Sequence, residues 1–383
     1  METSAQKKLL FVTLLFWFSM YTYVPILAPY AQSLGASYDM TGMIIGAYGL
    51  SQLLLRIPLG ILSDASGTRK FFILWGLVLA AGSSFGMWLL PAAFALLVCR
   101  TLAGVAASTW VDFTVLFVSY FPIKESPRAL GYLNAANNLG QVTAMLSGAY
   151  LAQHVGMNAP FLLGAVAGVF GLAGAFLLEE KKLPKKAVNT VVLREAFQNV
   201  RLLKLSFLGI IIQMLTFVTV FGFLPLAATA IGASTFELGL LTTATMVPSI
   251  FSAAMSGAYF SRRFGERTTL SFGLLLTSLT CLAIPWIEQL SWLYVTQMLG
   301  GFARGLVLPL LMGLSIRDFP ADKRSTAMGV FQSLYGLGMF FGPLLAGFVS
   351  GVAGLATGFA LTGAIGLCGA SLAFWRPFLK GNE

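Results

Sequence analysis

The sequence predicts an all-α membrane protein of twelve transmembrane helices, arranged as two pseudo-symmetric six-helix bundles. Three observations carry that expectation. The chain is 57% hydrophobic and only 10% charged, with a mean hydropathy of +0.83, whereas a soluble domain has about 25% charged residues. Apolar runs of bilayer length follow one another along the whole chain, where a soluble core would need turns far more often. Finally, Lys and Arg cluster in alternate connections, and the second half repeats features of the first.

The first run, 9–31, follows Lys7 and Lys8. It is a full span long and has no A-x-A-type cleavage site, so it is expected to stay as a helix and not to be removed as a signal peptide. Runs two and three, 41–62 and 71–91, flank the polar stretch GILSDASGTRK at 60–70. That stretch is not a phosphate loop: Gly60 and Gly67 are seven apart and no Ser or Thr follows Lys70, so G-x-x-x-x-G-K-[ST] is absent. Runs four to six cover 93–119, 129–152 and 159–178. The charged segment 179–204 then joins a first bundle, 1–178, to a second, 205–383. The remaining runs are 205–228, 237–260, 269–286, 290–316, 326–349 and 353–375.

Charge placement gives the topology. Lys7, Lys8, Arg69, Lys70, Lys124, Arg128, the 181–204 segment, Arg262, Arg263, Arg267, Arg317, Lys323, Arg324, Arg376 and Lys380 all fall on one side. The opposite connections carry Asp39, His154, Glu237 and Glu288 and no base. By the positive-inside rule both termini are expected in the cytoplasm, which requires an even number of spans. The net charge of +10 is thereby accounted for by topology, and nucleic acid is excluded as a partner. Cys99, Cys281 and Cys368 lie in apolar runs without CxxC spacing, so neither a disulfide framework nor a metal site is expected. No H-E-x-x-H, G-x-S-x-G or nucleotide loop occurs, so the chain reads as a non-enzyme without a cofactor.

The halves are parallel repeats. LGAS at 34–37 recurs as IGAS at 231–234, and Gly60, Asp64 and Lys70 recur as Gly257, Ser261 and Arg267, all at an offset of 197. FPIKESPRALG at 121–131 recurs as FPADKRSTAMG at 319–329, at an offset of 198. Two six-helix units entering from the same side are related by an axis along the membrane normal.

GILSDASGTRK resembles the signature loop of the major facilitator superfamily, G-x-L-x-D-R-x-G-x-[RK]-[RK], through Gly60, Leu62, Asp64, Gly67, Arg69 and Lys70, with Ala65 in place of the usual base. RTLAG at 100–104 resembles that family's fourth-helix R-x-x-x-G element. The family's drug-export branch tends to carry Gly-Pro in helix five; here the pair is Gly342-Pro343 in helix eleven. The resemblance implies a rocker-switch secondary transporter in which helices 1, 4, 7 and 10 line a central cavity and 2, 5, 8 and 11 complete its walls. It makes Gly60, Asp64, Gly67, Arg69 and Lys70 gating residues, with Asp64 meeting inner-side bases or the N-terminal end of helix 11.

The polar residues inside the runs are read independently of the family. A charge at mid-membrane costs at least about 2.5 kcal/mol and is expected to face a cavity or a partner. Arg100, Gly104, Ser108 and Asp112 form a stripe on helix 4; Tyr294, Gln297 and Arg304 share a face of helix 10; Asn134, Asn138 and Gln141 share one on helix 5, with Asn137 flanking. Three polar faces imply a hydrated path. Asp112 is the candidate proton site, the alternative being a permanent ion pair with a cavity arginine. Arg100 is either part of that coupling or a structural hydrogen bonder. Arg304 is either the partner of Asp112 or the anchor of a carboxylate or phosphate. The amides are cavity lining or interhelical glue. Trp17, Tyr21, Tyr23 and Trp110 either stack on an organic solute or pack and anchor. Arg56 is expected to snorkel or brace the gate, and His154 to lie idle in an outer connection.

The expected function is a secondary active transporter that moves a small organic solute, anionic or zwitterionic, by alternating access with protons. A proton-coupled exporter of amphipathic drugs and a flippase of lipid-linked substrates are the alternatives. The partners are the solute, protons and the lipid bilayer. The protein is expected to be a monomer in the bacterial inner membrane.

Overall fold

Helices apolar on every face have nowhere in water to stand. Each therefore packs one side into a bundle and leaves residues such as Phe94, Val169, Phe251 and Trp286 exposed towards lipid. This computed structural model describes residues 4–122, 125–180, 190–320 and 323–375. Lys124, Arg376, Lys380 and residues 181–189, named above among the bases of one side, lie outside the described residues.

Besides the short helix Thr190–Gln198, twelve long helical rods are seen among the described residues: Ser4–Ser33, Tyr38–Ser66, Lys70–Leu89, Ala93–Ser119, Ser126–His154, Ala159–Phe176, Val200–Ala230, Thr235–Phe264, Glu266–Trp286, Leu290–Arg317, Arg324–Ala353 and Leu355–Phe374. They are called spans 1 to 12, and they form two six-helix bundles. Eleven of them are long and apolar enough to cross a membrane. The other is span 5, whose Asn134, Asn137, Asn138 and Gln141 lower its hydropathy.

The repeated LGAS and IGAS tetrapeptides now have a structural cause. Gly35 and Gly232 take φ of 83° and 91°, left-handed turns that only glycine enters without strain. Ser37 and Ser234 follow as N-caps, accepting from the N–H of Met40 and of Glu237. Each repeat thus ends one span and starts the next in the same way.

Four rods are interrupted within their length. Span 1 breaks at Thr22–Tyr23, ahead of a 3₁₀ turn with Pro25. Span 4 breaks at Thr109, between Ala93–Ser108 and Trp110–Ser119. Spans 7 and 8 carry π-helical segments at Thr219–Phe223 and Ser256–Phe260. Such irregular turns re-aim side chains and concentrate at functional positions.

Glycines set the close approaches. Within the bundles a Cβ on Gly148 would overlap the Thr22 carbonyl, and one on Gly301 the Thr245 carbonyl. Between the bundles, span 2 meets span 11 where Gly42, Gly46 and Gly49 lie on Pro343, Phe340 and Met339. Ser333 donates to the Leu53 carbonyl at 2.7 Å and Arg56 donates to the Tyr335 hydroxyl at 3.2 Å. Arg56 therefore braces span 2 against span 11. Span 5 meets span 8 where Gly239 lies on Met145 and Ala149. All these contacts are in the half away from the basic connections or near mid-depth. Towards the basic end, Gly60, Gly131, Gly257 and Gly329 on the same four spans have open space where a Cβ would stand. The bundles are closed at one end and parted at the other.

Candidate functional site

Seven aromatic side chains meet where the closed half of the inter-bundle contact gives way to the parted half. Trp17 on span 1 packs edge-on against Trp110 of span 4 and Tyr21, with centroids 5.3 and 5.7 Å apart. Trp110 stacks on Phe113 at 5.9 Å. Tyr21 reaches across to Phe221 of span 7 at 5.9 Å, Phe221 meets Phe217 at 5.0 Å, and Phe217 stacks on Tyr48 of span 2 at 6.2 Å. Four spans of two bundles thus contribute to one aromatic roof. Trp17 and Tyr21 keep slight exposure, 7% and 8%, and the Trp17 indole N–H is buried without a partner. Edge-on and offset rings of this kind offer faces to a flat organic molecule.

Span 5 supplies a polar wall. Asn134, Asn138 and Gln141 lie on the helix face that, farther from the basic end, carries Met145 and Ala149 against span 8. Gln141 donates to the Asn137 amide oxygen at 2.5 Å, and Asn134 is exposed. The expected face therefore fronts the space between the bundles. The matching face of span 8 carries Thr243, Met246 and Ile250.

The helix 4 stripe is different from expectation. Gly104 lies on the Tyr48 carbonyl and Ser51 of span 2, Ser108 is buried and bonds the Gly104 carbonyl at 3.0 Å, and the break at Thr109 divides the stripe. It faces protein and not a hydrated path. Arg100, 3% exposed, stands 4.3 Å from the Tyr48 ring centroid and 5.9 Å from that of Tyr23, a cation–π arrangement that compensates a buried guanidinium without an acid. Its Nε and Nη1 have no partner.

Asp112 pairs with neither Arg100 nor Arg304. Its Oδ1 accepts from Arg69 Nη1 at 3.0 Å, and Arg69 also binds Asp64 and the Ser63 hydroxyl. Asp112 and Arg69 are both buried, while Asp64 is partly exposed. The candidate proton site thus belongs to the loop between spans 2 and 3. Gly67 makes that loop possible: at φ 70° it caps span 2 in the left-handed region. Lys70 donates to the carbonyls of Phe176 and Leu178 at 2.7 and 2.8 Å, tying the same loop to the end of span 6.

The helix 10 face is inside the second bundle. The Tyr294 hydroxyl donates to the Glu237 carbonyl at 3.0 Å, near the end away from the bases. Gln297 and Arg304 are buried, and the Gln297 Oε1 and Arg304 Nη2 lack partners. Arg304 lies over Gly300, beside Thr280 of span 9. His154 packs on Tyr150 at 4.2 Å in its outer connection. Among the described residues no group of His, Cys, Asp and Glu is arranged to hold a metal.

Sequence reasoning overlooked Tyr48, Phe217 and Phe221. Phe217 and Phe221 are an i, i+4 aromatic pair in the helix broken at Gly222 and Pro225, a signal as clear as the one that singled out Trp17 and Tyr21.

A sequence profile described as Major Facilitator Superfamily matches residues 9–226 and 206–380. The inner membrane transport protein YajR of Escherichia coli is 27% identical over 347 residues, covering 87% of this chain and 74% of that protein. The class H tetracycline resistance protein of Pasteurella multocida is 23% identical over 324 residues, covering 80% and 78%. Among solved structures, the nucleoside transporter NupG superposes with a TM-score of 0.78 at 14% identity, covering 99% of this chain and 100% of that one; that likeness concerns the fold.

Proposed function

Because the chain belongs to the Major Facilitator Superfamily, and is therefore a membrane transporter and not an enzyme, we propose that it moves an amphipathic organic solute with an aromatic face by alternating access, driven by protons. The aromatic roof carries this reading. Trp17, Tyr21, Trp110, Phe217 and Phe221 close the blind end of the space between the bundles, and the span 5 amides offer hydrogen bonds beside them. Apolar walls with a few placed polar groups suit a small organic ligand. The name of the tetracycline resistance relative agrees with such a solute.

The cycle follows from the four unused glycines. Gly60, Gly131, Gly257 and Gly329 let the basic ends of spans 2, 5, 8 and 11 approach when the other end parts. Asp112 takes the proton, which loosens Arg69 and with it the loop that holds the basic end open. The base distribution supports cytoplasmic termini in a bacterial inner membrane, and the protein acts as a monomer.

The test is a thermal-shift screen of the purified protein with ethidium, tetracycline, salicylate and glucose, since a ligand of the folded state raises apparent stability. Ethidium or tetracycline is expected to stabilise the wild type, and Trp17→Ala with Phe221→Ala to weaken that binding by roughly tenfold per residue. Stabilisation by glucose alone, or by salicylate alone, would refute an aromatic-roof transporter of this kind.

One observation favours a second reading, an anionic solute: the buried Arg304 has a guanidinium nitrogen without a partner. On that reading Arg304→Gln abolishes the response to salicylate and spares ethidium. Equal loss of both would count against it.

A further inference from the structure

Three guanidiniums are buried within the spans without an acid. Arg56, Arg100 and Arg304 have no carboxylate in ion-pair reach among the described residues, and the one acid buried among them, Asp112, is taken by Arg69. An unpaired buried charge is costly, so each guanidinium needs some other compensation. The rings of Tyr48 and Tyr23 supply it for Arg100, and Arg304 is enclosed in the second bundle beside Thr280. Arg56 has only a hydroxyl. It donates through Nη1 to Tyr335 of the opposite bundle at 3.2 Å, and its Nε is buried without a partner.

Arg56 also stands where the space between the bundles ends. Farther from the bases, spans 2 and 11 are closed by Met339 on Gly49 and by the bond from Ser333 to the Leu53 carbonyl. One turn nearer to the bases, Gly60 has open space. The bond from Arg56 to Tyr335 is thus the last one joining these spans before the bundles part. Tyr48, Gln52 and Arg56, spaced by four, run along one buried face of span 2, and Tyr48 stacks on Phe217 of the aromatic roof. A helical side chain leans back towards its own N-terminus, which here aims the guanidinium at Tyr48 and the roof. Its charge reaches the Tyr48 hydroxyl, and Tyr335 is in electrostatic reach of Tyr21.

We propose that Arg56 binds a carboxylate or equivalent ionised acid carried by the transported solute. Tyr335 occupies Nη1 and leaves the parallel donors of Nε and Nη2, the fork that a carboxylate accepts in two hydrogen bonds. The aromatic face of the solute lies under Trp17, Tyr21 and Phe221, and its acid lies beside Gln52 on Arg56. The site rests on the aromatic-roof reading and narrows it to anions and zwitterions: tetracycline carries an ionised acid beside its rings, and ethidium has none.

Thermal-shift titration of the full-length protein with 2-naphthoate and with the neutral 2-naphthalenemethanol tests this, because the two share a ring system and differ in charge. Hydrogen bonds to a charged group favour the acid by about tenfold or more in Kd. Wild type is expected to show that margin, and Arg56→Gln to bind the two compounds alike, with its affinity for the alcohol retained. Tyr335→Phe removes the tie between the bundles but not the fork, so it is expected to keep the margin to within about threefold. Equal affinity for the two compounds in wild type, an undiminished margin in Arg56→Gln, or loss of the margin in Tyr335→Phe overturns the site and leaves the roof standing. Failure of both compounds to bind wild type overturns the roof, and the site with it.

Discussion

Replacing Asp112 with alanine is expected to cost about 3 kcal/mol of stability, at the lower end of the range for removing one member of a buried ion pair. The lower end applies because Arg69 would keep Asp64 and Ser63 as partners. Asp64→Ala is expected to cost under about 1 kcal/mol, since that carboxylate is 41% exposed and exposed pairs are weak. The order of the two effects follows from burial alone. Asp112→Asn separates packing from charge: it preserves shape and an acceptor for Arg69 but cannot carry a proton. Flux into liposomes driven by a pH gradient is expected to fall by about a hundredfold or more in Asp112→Asn, with substrate exchange at equal pH retained. Undiminished gradient-driven flux in that variant would remove Asp112 from the coupling, and loss of exchange as well would make its role structural.

The fold was legible because its causes are local and repeated. A bilayer demands a run of about 20 apolar residues per helix, and such runs can be counted along the chain. Even the LGAS and IGAS repeat carried its own explanation, a glycine for the turn and a serine for the next cap. Residue spacing alone puts Asn134, Asn138 and Gln141 on one face of span 5, the face that farther along carries Met145 and Ala149 against span 8.

The site was less legible, and Asp112 shows why. Spacing by four placed it in line with Arg100, but spacing assumes one unbroken helix, and span 4 breaks at Thr109. Its partner, Arg69, is 43 residues away in sequence, in the loop between spans 2 and 3. Two separately expected features, the candidate proton site Asp112 and the candidate gating loop at 60–70, are one cluster. Arg100 had no acid to find: its compensation comes from the rings of Tyr48 and Tyr23, which periodicity does not reveal.

Two glycine substitutions on one helix are expected to push the protein in opposite directions. A side chain on Gly42 must overlap the Pro343 carbonyl, a backbone atom that cannot move without moving span 11. Gly42→Leu therefore destabilises the state seen here, closed at the end away from the bases. Gly60, five turns along the same face of span 2, has open space, so Gly60→Leu leaves this state alone and blocks the approach of span 11 at the basic end. Overpacking costs about 1–3 kcal/mol, which shifts a two-state population by roughly 5- to 150-fold. Single cysteines introduced at the two ends would report this through labelling by a membrane-impermeant thiol reagent. Gly42→Leu is expected to raise labelling at the end near Asp39 and lower it near Lys70, and Gly60→Leu to do the reverse. Both variants should lose net transport, because a carrier held at either end cannot cycle. Labelling that shifts the same way in both, or transport that survives both, would mean that the contacts of spans 2 and 11 do not alternate, and the basic-end glycines would need another explanation.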